Sequence, residues 1–182
     1  MTSMNSWQSL LSQNLNQLHN NLQLPQEQIR LAIVGIGNEL RGDDAAGVAV
    51  VRRLAQDTLI RQKKNKNVLL IDAGNAPENY TGPLRRFAPH LVLLVDMAQM
   101  DCVPGSVRWL PWQETSGLSA SSHTMPPYML AQFLTADLHC EVALIGVQPL
   151  DTSLTMSMSP VVETAVDSVV SELSAIINRF YP

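Results

Sequence analysis

Four short, nearly unbroken apolar runs punctuate the chain, at residues 31–36, 68–71, 91–95 and 142–147. Strands with one wet face alternate between apolar and polar residues, whereas strands covered on both faces read as continuous runs like these. Between the first two runs, residues 44–59 have helical length and set Val48, Val51, Leu54 and Ala55 on one face. A second helix is predicted over residues 126–138, opened by Pro126 and Pro127. A third is predicted over Pro160–Phe180, with Ser159 as N-cap and Pro160 in the first position. Residues 106–110 form a further candidate strand after the Pro104-Gly105 turn. Strands alternating with helices imply one α/β domain: a largely parallel, twisted sheet of about five strands with helices on both faces.

The pattern changes before residue 30. The first 28 residues carry eleven Asn and Gln and a single charge, Glu27. Within them Trp7, Leu10, Leu11, Leu15, Leu18 and Leu22 recur every three or four positions, one apolar stripe on a helix that Pro25 should end. Residues 1–29 are therefore set apart as a polar extension and 30–182 as the domain. The helix could lie on the domain surface, dock a partner or mediate self-association. A membrane-surface role is disfavoured, because its polar face has no Lys or Arg for anionic lipid.

Composition narrows the function classes. The 182 residues are 46% hydrophobic and carry a net charge of −4, which lacks the basic footprint of a general nucleic-acid binder. Six of the twelve Lys and Arg crowd between Arg52 and Lys66, read as a solvated loop before the second strand. No apolar run is long enough to span a bilayer. The N-terminus lacks the basic start of a secretory signal, and only two cysteines occur, Cys102 and Cys140. A reducing cytoplasm is the expected compartment, without a disulfide framework or structural zinc.

The acids carry the candidate chemistry. Ligands of parallel sheets bind beyond the carboxyl ends of the strands. There the first run leads into Asp43 and Asp44, the second ends in Asp72 and the third in Asp96. Gathered carboxylates repel one another unless a proton, cation or hydrogen-bond donor offsets the cost. His123, just before the predicted 126–138 helix, is placed to join them. Oxygen ligands with one imidazole suit a borderline divalent metal such as nickel, zinc, manganese or iron. Each residue also has a plainer use. Asp43 or Asp44 could cap the following helix, Asp72 could fix a turn, and His123 could be a structural histidine. Gly35-Ile36-Gly37 is not a dinucleotide loop, since position 40 is Leu where a third glycine is required. No nucleophile elbow, zincin motif or Walker loop occurs.

Gly35-Ile36-Gly37-Asn38-Glu39-Leu40-Arg41-Gly42-Asp43-Asp44 is similar to the Gly-x-Gly-Asn-x-Leu-x-x-Asp-Asp/Glu signature of the hydrogenase maturation proteases. The resemblance continues through Asp72-Ala73-Gly74, Leu94-Val95-Asp96 and His123-Thr124-Met125-Pro126. It extends to Leu144-Ile145-Gly146-Val147-Gln148-Pro149 and Met158-Ser159-Pro160, spanning about residues 31–178. Asn75-Ala76-Pro77-Glu78-Asn79, with the His-Thr-Met-Pro and Gly-Val-Gln-Pro stretches, most resembles the hydrogenase 3, or formate hydrogenlyase, branch.

The resemblance implies a phosphorylase/hydrolase-like fold and an aspartic-type endopeptidase. Its substrate would be the nickel–iron hydrogenase large-subunit precursor, cut near its C-terminus after nickel insertion. Nickel, carried by that substrate, would be the recognition element. By motif position the nickel contacts would be Asp44, Asp96 and His123, with Asp43 and Asp72 as supporting or catalytic candidates alongside Asp44 and Asp96. A non-catalytic chaperone binding nickel or the unprocessed subunit is the alternative. Ala45 stands where many members have Gly, and the extension has no counterpart in the usual short members.

Overall fold

A computed structural model describes residues 6–58, 60, 66–113, 126–155 and 157–182. The chain opens with helix α1 (Trp7–Leu22), which stops at Gln23 in the left-handed region, two residues before Pro25. Strand β1 (Leu31–Ile36) runs through a 3-10 turn (Gly42–Ala45) into α2 (Ala46–Gln56). Then follow β2 (Val68–Gly74), a 3-10 turn (Pro77–Tyr80) and the short helix α3 (Thr81–Phe87). Strands β3 (Leu91–Met97) and β4 (Val107–Leu110), helix α4 (Pro127–Leu138), β5 (Glu141–Val147) and α5 (Pro160–Phe180) complete the order.

The five strands form one sheet in the order β2-β1-β3-β5-β4. All neighbours are parallel except β4, which pairs antiparallel with β5 through Trp109↔Ile145. β1 and β3 are buried along their whole length, as their unbroken apolar runs require. Odd-numbered residues of both, such as Ile33 and Leu93, pack with α1, α2 and α5. Even-numbered residues, such as Val34 and Leu94, pack with α3 and α4. The sheet is therefore covered on both faces, as expected for a mostly parallel α/β domain.

Three local expectations are revised. The predicted 44–59 helix is divided: residues 42–45 wind as a 3-10 turn, and the α-helix proper starts at Ala46. Its core face uses Val50, while Ala55 is exposed. Helix α3 was not anticipated, because seven residues containing Gly82 and Pro83 show too little periodicity to register. Pro83 is tolerated because it falls in the first turn, where its missing N–H deprives no intrahelical bond.

Helix α1 is built into the molecule. Trp7, Leu11, Leu15 and Leu18 are buried in the same cluster as α2 and α5. Arg179 Nη2 donates to Ser12 Oγ at 2.7 Å, and the Tyr181 hydroxyl donates to the Ile29 carbonyl at 2.9 Å. The stripe that suggested a docking helix is thus spent on intramolecular packing, with Leu22 left exposed. No helix among the described residues is long and apolar enough to cross a membrane.

Candidate active site

β1 is followed in sequence by β2 on one side and, after the crossover, by β3 on the other, so the order reverses between β1 and β3. Beyond the carboxyl ends of two such strands, loops diverge and leave a crevice. Close backbone approach shapes its floor. A Cβ on Gly47 would lie 2.1 Å from the Val95 carbonyl and 2.4 Å from the Ile36 carbonyl, so α2 starts directly against both strand ends. Gly37 has φ +148°, and a Cβ there would lie 1.9 Å from the Asp44 carbonyl. Only glycine allows that approach.

The loop leaving β1 closes on itself. The Gly37 N–H donates to the Gly74 carbonyl at 2.9 Å, tying β1 to β2. The Asn38 N–H donates to the Asp44 carbonyl at 3.2 Å, and Asn38 Oδ1 accepts from the Leu40 N–H at 3.0 Å. A cavity of about 350 Å³ opens between the Gly37–Leu40 turn, Val48 and the Gly74-Asn75 step.

The acids separate into distinct environments. Asp44 and Asp96 are each about 1% exposed. Asp44 lies on the 3-10 turn, which packs against β3, and Asp96 is the penultimate residue of that strand. Asp96 continues the even-numbered series of Val92 and Leu94, facing the side covered by α4. Both acids lie on the two elements that flank the reversal, the turn after β1 and the end of β3.

Asp43 is wholly buried but engaged elsewhere. Its Oδ2 accepts from the Leu150 N–H (2.8 Å), the Asp151 N–H (2.9 Å) and the Ser159 hydroxyl (2.9 Å). Its Oδ1 accepts from the Ser159 N–H at 2.6 Å. Ser159 does occupy the N-cap position of α5, as predicted, but its side chain makes no cap bond. Its hydroxyl serves the carboxylate.

Asp72 faces the opposite side of the sheet from Asp96. It follows Val68 and Leu70, which pack against the α1, α2 and α5 cluster. There it accepts from Arg52 Nε at 2.5 Å, while the other guanidinium nitrogens of Arg52 fork onto Glu39. These hydrogen bonds, first Glu39 and then Asp72, hold the guanidinium more firmly protonated than usual. Arg52, Glu39 and Asp72 are 46%, 54% and 35% exposed, so this is a solvated network of modest energetic worth. Asp72 is thus half-exposed on the far side of the sheet from Asp96.

His123 lies outside the described residues. Among the described residues, no three His, Cys, Asp or Glu are close enough to hold a metal ion. Two carboxylates remain from which a borderline divalent ion could receive hard oxygen donors, with an imidazole as the natural complement.

One structural residue had gone unassigned. Gln148 is nearly wholly buried, and its Oε1 accepts from the Met100 N–H at 2.7 Å. Its amide donates to Gln99 Oε1 (3.1 Å) and the Pro149 carbonyl (3.2 Å). It pins the loop that follows Asp96. The available signal was a lone amide ending an apolar strand immediately before proline.

Known proteins share this fold. The hydrogenase maturation protease family model matches residues 48–176. A Methanocaldococcus jannaschii protein assigned to the hydrogenase maturation proteases is 34% identical, covering 82% of this chain and 89% of its own. The hydrogenase 3 maturation protease of Escherichia coli K12 is 30% identical over 139 residues, covering 76% of this chain and 85% of its own. The crystal structure of the NiFe hydrogenase maturation protease HycI from Thermococcus kodakarensis KOD1 superposes with a TM-score of 0.73 at 31% identity. That match covers 82% of this chain and 92% of the other.

Proposed function

The chain belongs to the hydrogenase maturation protease family, and on that footing we propose that it removes the C-terminal peptide of a nickel–iron hydrogenase large-subunit precursor after nickel insertion. It is a peptidase, and the hydrogenase 3 type is the substrate branch its relatives favour. The observation that carries the reading is two separately buried acids, Asp44 on the turn after β1 and Asp96 near the end of β3, the strands between which the order reverses.

In this reading nickel belongs to the substrate. Asp44 and Asp96, with His123, lend ligands to an ion already held by the precursor, which brings the scissile peptide into the crevice. Carboxylate oxygens suit that ion, and burial strengthens their attraction by excluding water. Asp44 or Asp96, or a water polarised by the ion, then drives hydrolysis, giving an aspartic-type endopeptidase. A carboxylate bound to nickel cannot at the same instant be a free base, so recognition and proton transfer fall to different oxygens or different steps. Asp43 and Asp72 support the site, the first through the α5 junction and the second through Arg52.

The deciding experiment incubates the chain with a nickel-loaded large-subunit precursor and reads intact mass. Loss of a C-terminal peptide is expected, and the nickel-free precursor should stay whole. Asp96→Asn and His123→Ala should each fold and fail to process. Binding without any mass loss would instead favour a chaperone, and normal processing by both variants would remove these residues from the site.

A further inference from the structure

We propose that Asp43 is the positioning residue for Asp44, holding the turn that carries it by clamping that turn to residues 150–155 and Ser159. The inference builds on the peptidase reading but rests on hydrogen-bond geometry.

Four donors converge on one buried carboxylate, from chain segments more than 100 residues away. Three of them fill Oδ2. Hydrogen bonds to an ionised carboxylate are roughly twice as strong as neutral ones. The main chain reinforces the attachment. The Asp43 N–H donates to the Asp151 carbonyl at 2.9 Å, and the Gly42 N–H donates to the Thr155 carbonyl at 2.7 Å. Oδ2, so occupied, has no lone pair to offer a peptide or an attacking water, and Oδ1 is already turned to the Ser159 N–H. In this proposal Asp43 acts through its neighbour.

The neighbour is pinned from two directions. On one side the Asn38 N–H holds the Asp44 carbonyl, and Gly37 lies beneath it. On the other, the Asp43 clamp fixes the same turn to the start of α5. A single peptide unit separates the two attachments, so the path of the chain at Asp44 leaves little rotational freedom. If the carboxylate bonds are lost, the turn keeps its main-chain bonds, among them Asp43 N–H to the Asp151 carbonyl and Asp44 N–H to the Arg41 carbonyl, but loses its side-chain anchor to Leu150 and Ser159. Misplacing a reacting group by about 1 Å can cost about 100-fold in rate.

Asp43→Asn keeps the shape but turns an amide NH2 towards donors, leaving buried N–H groups without acceptors. Ser159→Ala removes one donor of the four, and Ser159→Thr restores the hydroxyl. Amide hydrogen exchange on the full chain is the first readout. In Asp43→Asn, exchange at Leu150, Asp151 and also Asn38 should rise by about tenfold or more, while amides of β3 stay protected. Ser159→Ala should show a smaller rise that Ser159→Thr reverses.

Processing of the nickel-loaded precursor is the second readout, taken well below each variant's unfolding temperature. For Asp43→Asn, kcat should fall about 100-fold, with KM rising as well because Asp44 also holds the substrate's nickel, and with the shape of the pH profile retained. Ser159→Thr should recover most of the loss seen in Ser159→Ala.

Unchanged Asn38 exchange would show that the clamp does not position Asp44 and would overturn the proposal. An unchanged kcat would do the same, and loss of one limb of the pH profile would make Asp43 an acid or base instead. If the unmodified chain cleaves no precursor, the peptidase reading fails and exchange alone decides the clamp. Should Asp43→Asn not fold, the two Ser159 variants carry the same comparison.

Discussion

Gly47→Ala adds one methyl group at a tight backbone approach next to the site. That carbon would sit 2.1 Å from the Val95 carbonyl oxygen, 2.4 Å from that of Ile36 and 2.9 Å from the Ile36 nitrogen. Ordinary carbon–oxygen contacts lie at about 3.3 Å or more. Both oxygens belong to central strands paired on each side, so they cannot swing away. Helix α2 must then withdraw by about 1 Å at its first turn.

Two effects compete in stability. Replacing glycine within a helix is worth up to about 1 kcal/mol in favour of alanine. Overpacking of a tight interior costs about 1–3 kcal/mol and should win, because the obstacle is backbone. For a chain of this size that lowers Tm by roughly 2–8 °C. Asp44 lies three residues before Gly47 and moves with it, so processing should fall about 100-fold even where the variant is fully folded. Gly82→Ala in α3 is the control, since its Cβ would meet only Arg86 Nη1, at 3.7 Å. Thermal unfolding and precursor processing, measured on both variants, decide the matter. A Gly47→Ala protein with unchanged Tm and full processing would refute the close approach and its role in placing Asp44.

Two further perturbations test the frame. Leu15→Ala removes a wholly buried side chain of α1 and should cost about 3 kcal/mol, read as a Tm lower by roughly 6–12 °C; a loss below about 1 °C would mean that α1 is not part of the core. His90 Nδ1 accepts from the Arg30 N–H at 3.0 Å, and burial, with Arg30 nearby, lowers its pKa from 6.5. The unfolded chain therefore binds this proton more readily, and stability should decline as pH falls below about 6.5 towards the lowered folded value. Tm measured across that window should drop less in His90→Gln, and an equal drop in both proteins would exclude this histidine as a cause.

The central strands β1 and β3 were legible because burial on both faces leaves no choice of residue except apolar ones, while β2 kept an apolar run although it is only half-buried. The same continuity concealed the faces. In a strand with one wet side, alternation would have shown that Asp72 and Asp96 point in opposite directions. In runs such as Leu-Val-Leu-Leu-Val nothing marks the sides, so both acids looked available to one crevice. Asp43 was hidden for a different reason: its partners lie more than 100 residues away, and no local pattern announces such a contact. Asp96 stood out as a candidate because an acid directly after a buried run has few structural excuses, whereas Asp44, set beyond the Gly37–Gly42 turn, stood out through the signature that contains it.

The meeting of α1 with α5 bears on how the molecule is made. Ser12 bonds Arg179 across 167 residues of chain, and Ile29 bonds Tyr181 across 152. Synthesis proceeds from the N-terminus, so Trp7, Leu11, Leu15 and Leu18 emerge long before α5 exists to cover them. Contacts of such separation form late and leave apolar surface waiting. The eleven Asn and Gln spread through the first 28 residues offer that interval a hydrophilic, nearly uncharged opposite face. The leader that looks like an appendage at the ribosome becomes the closing piece of the core.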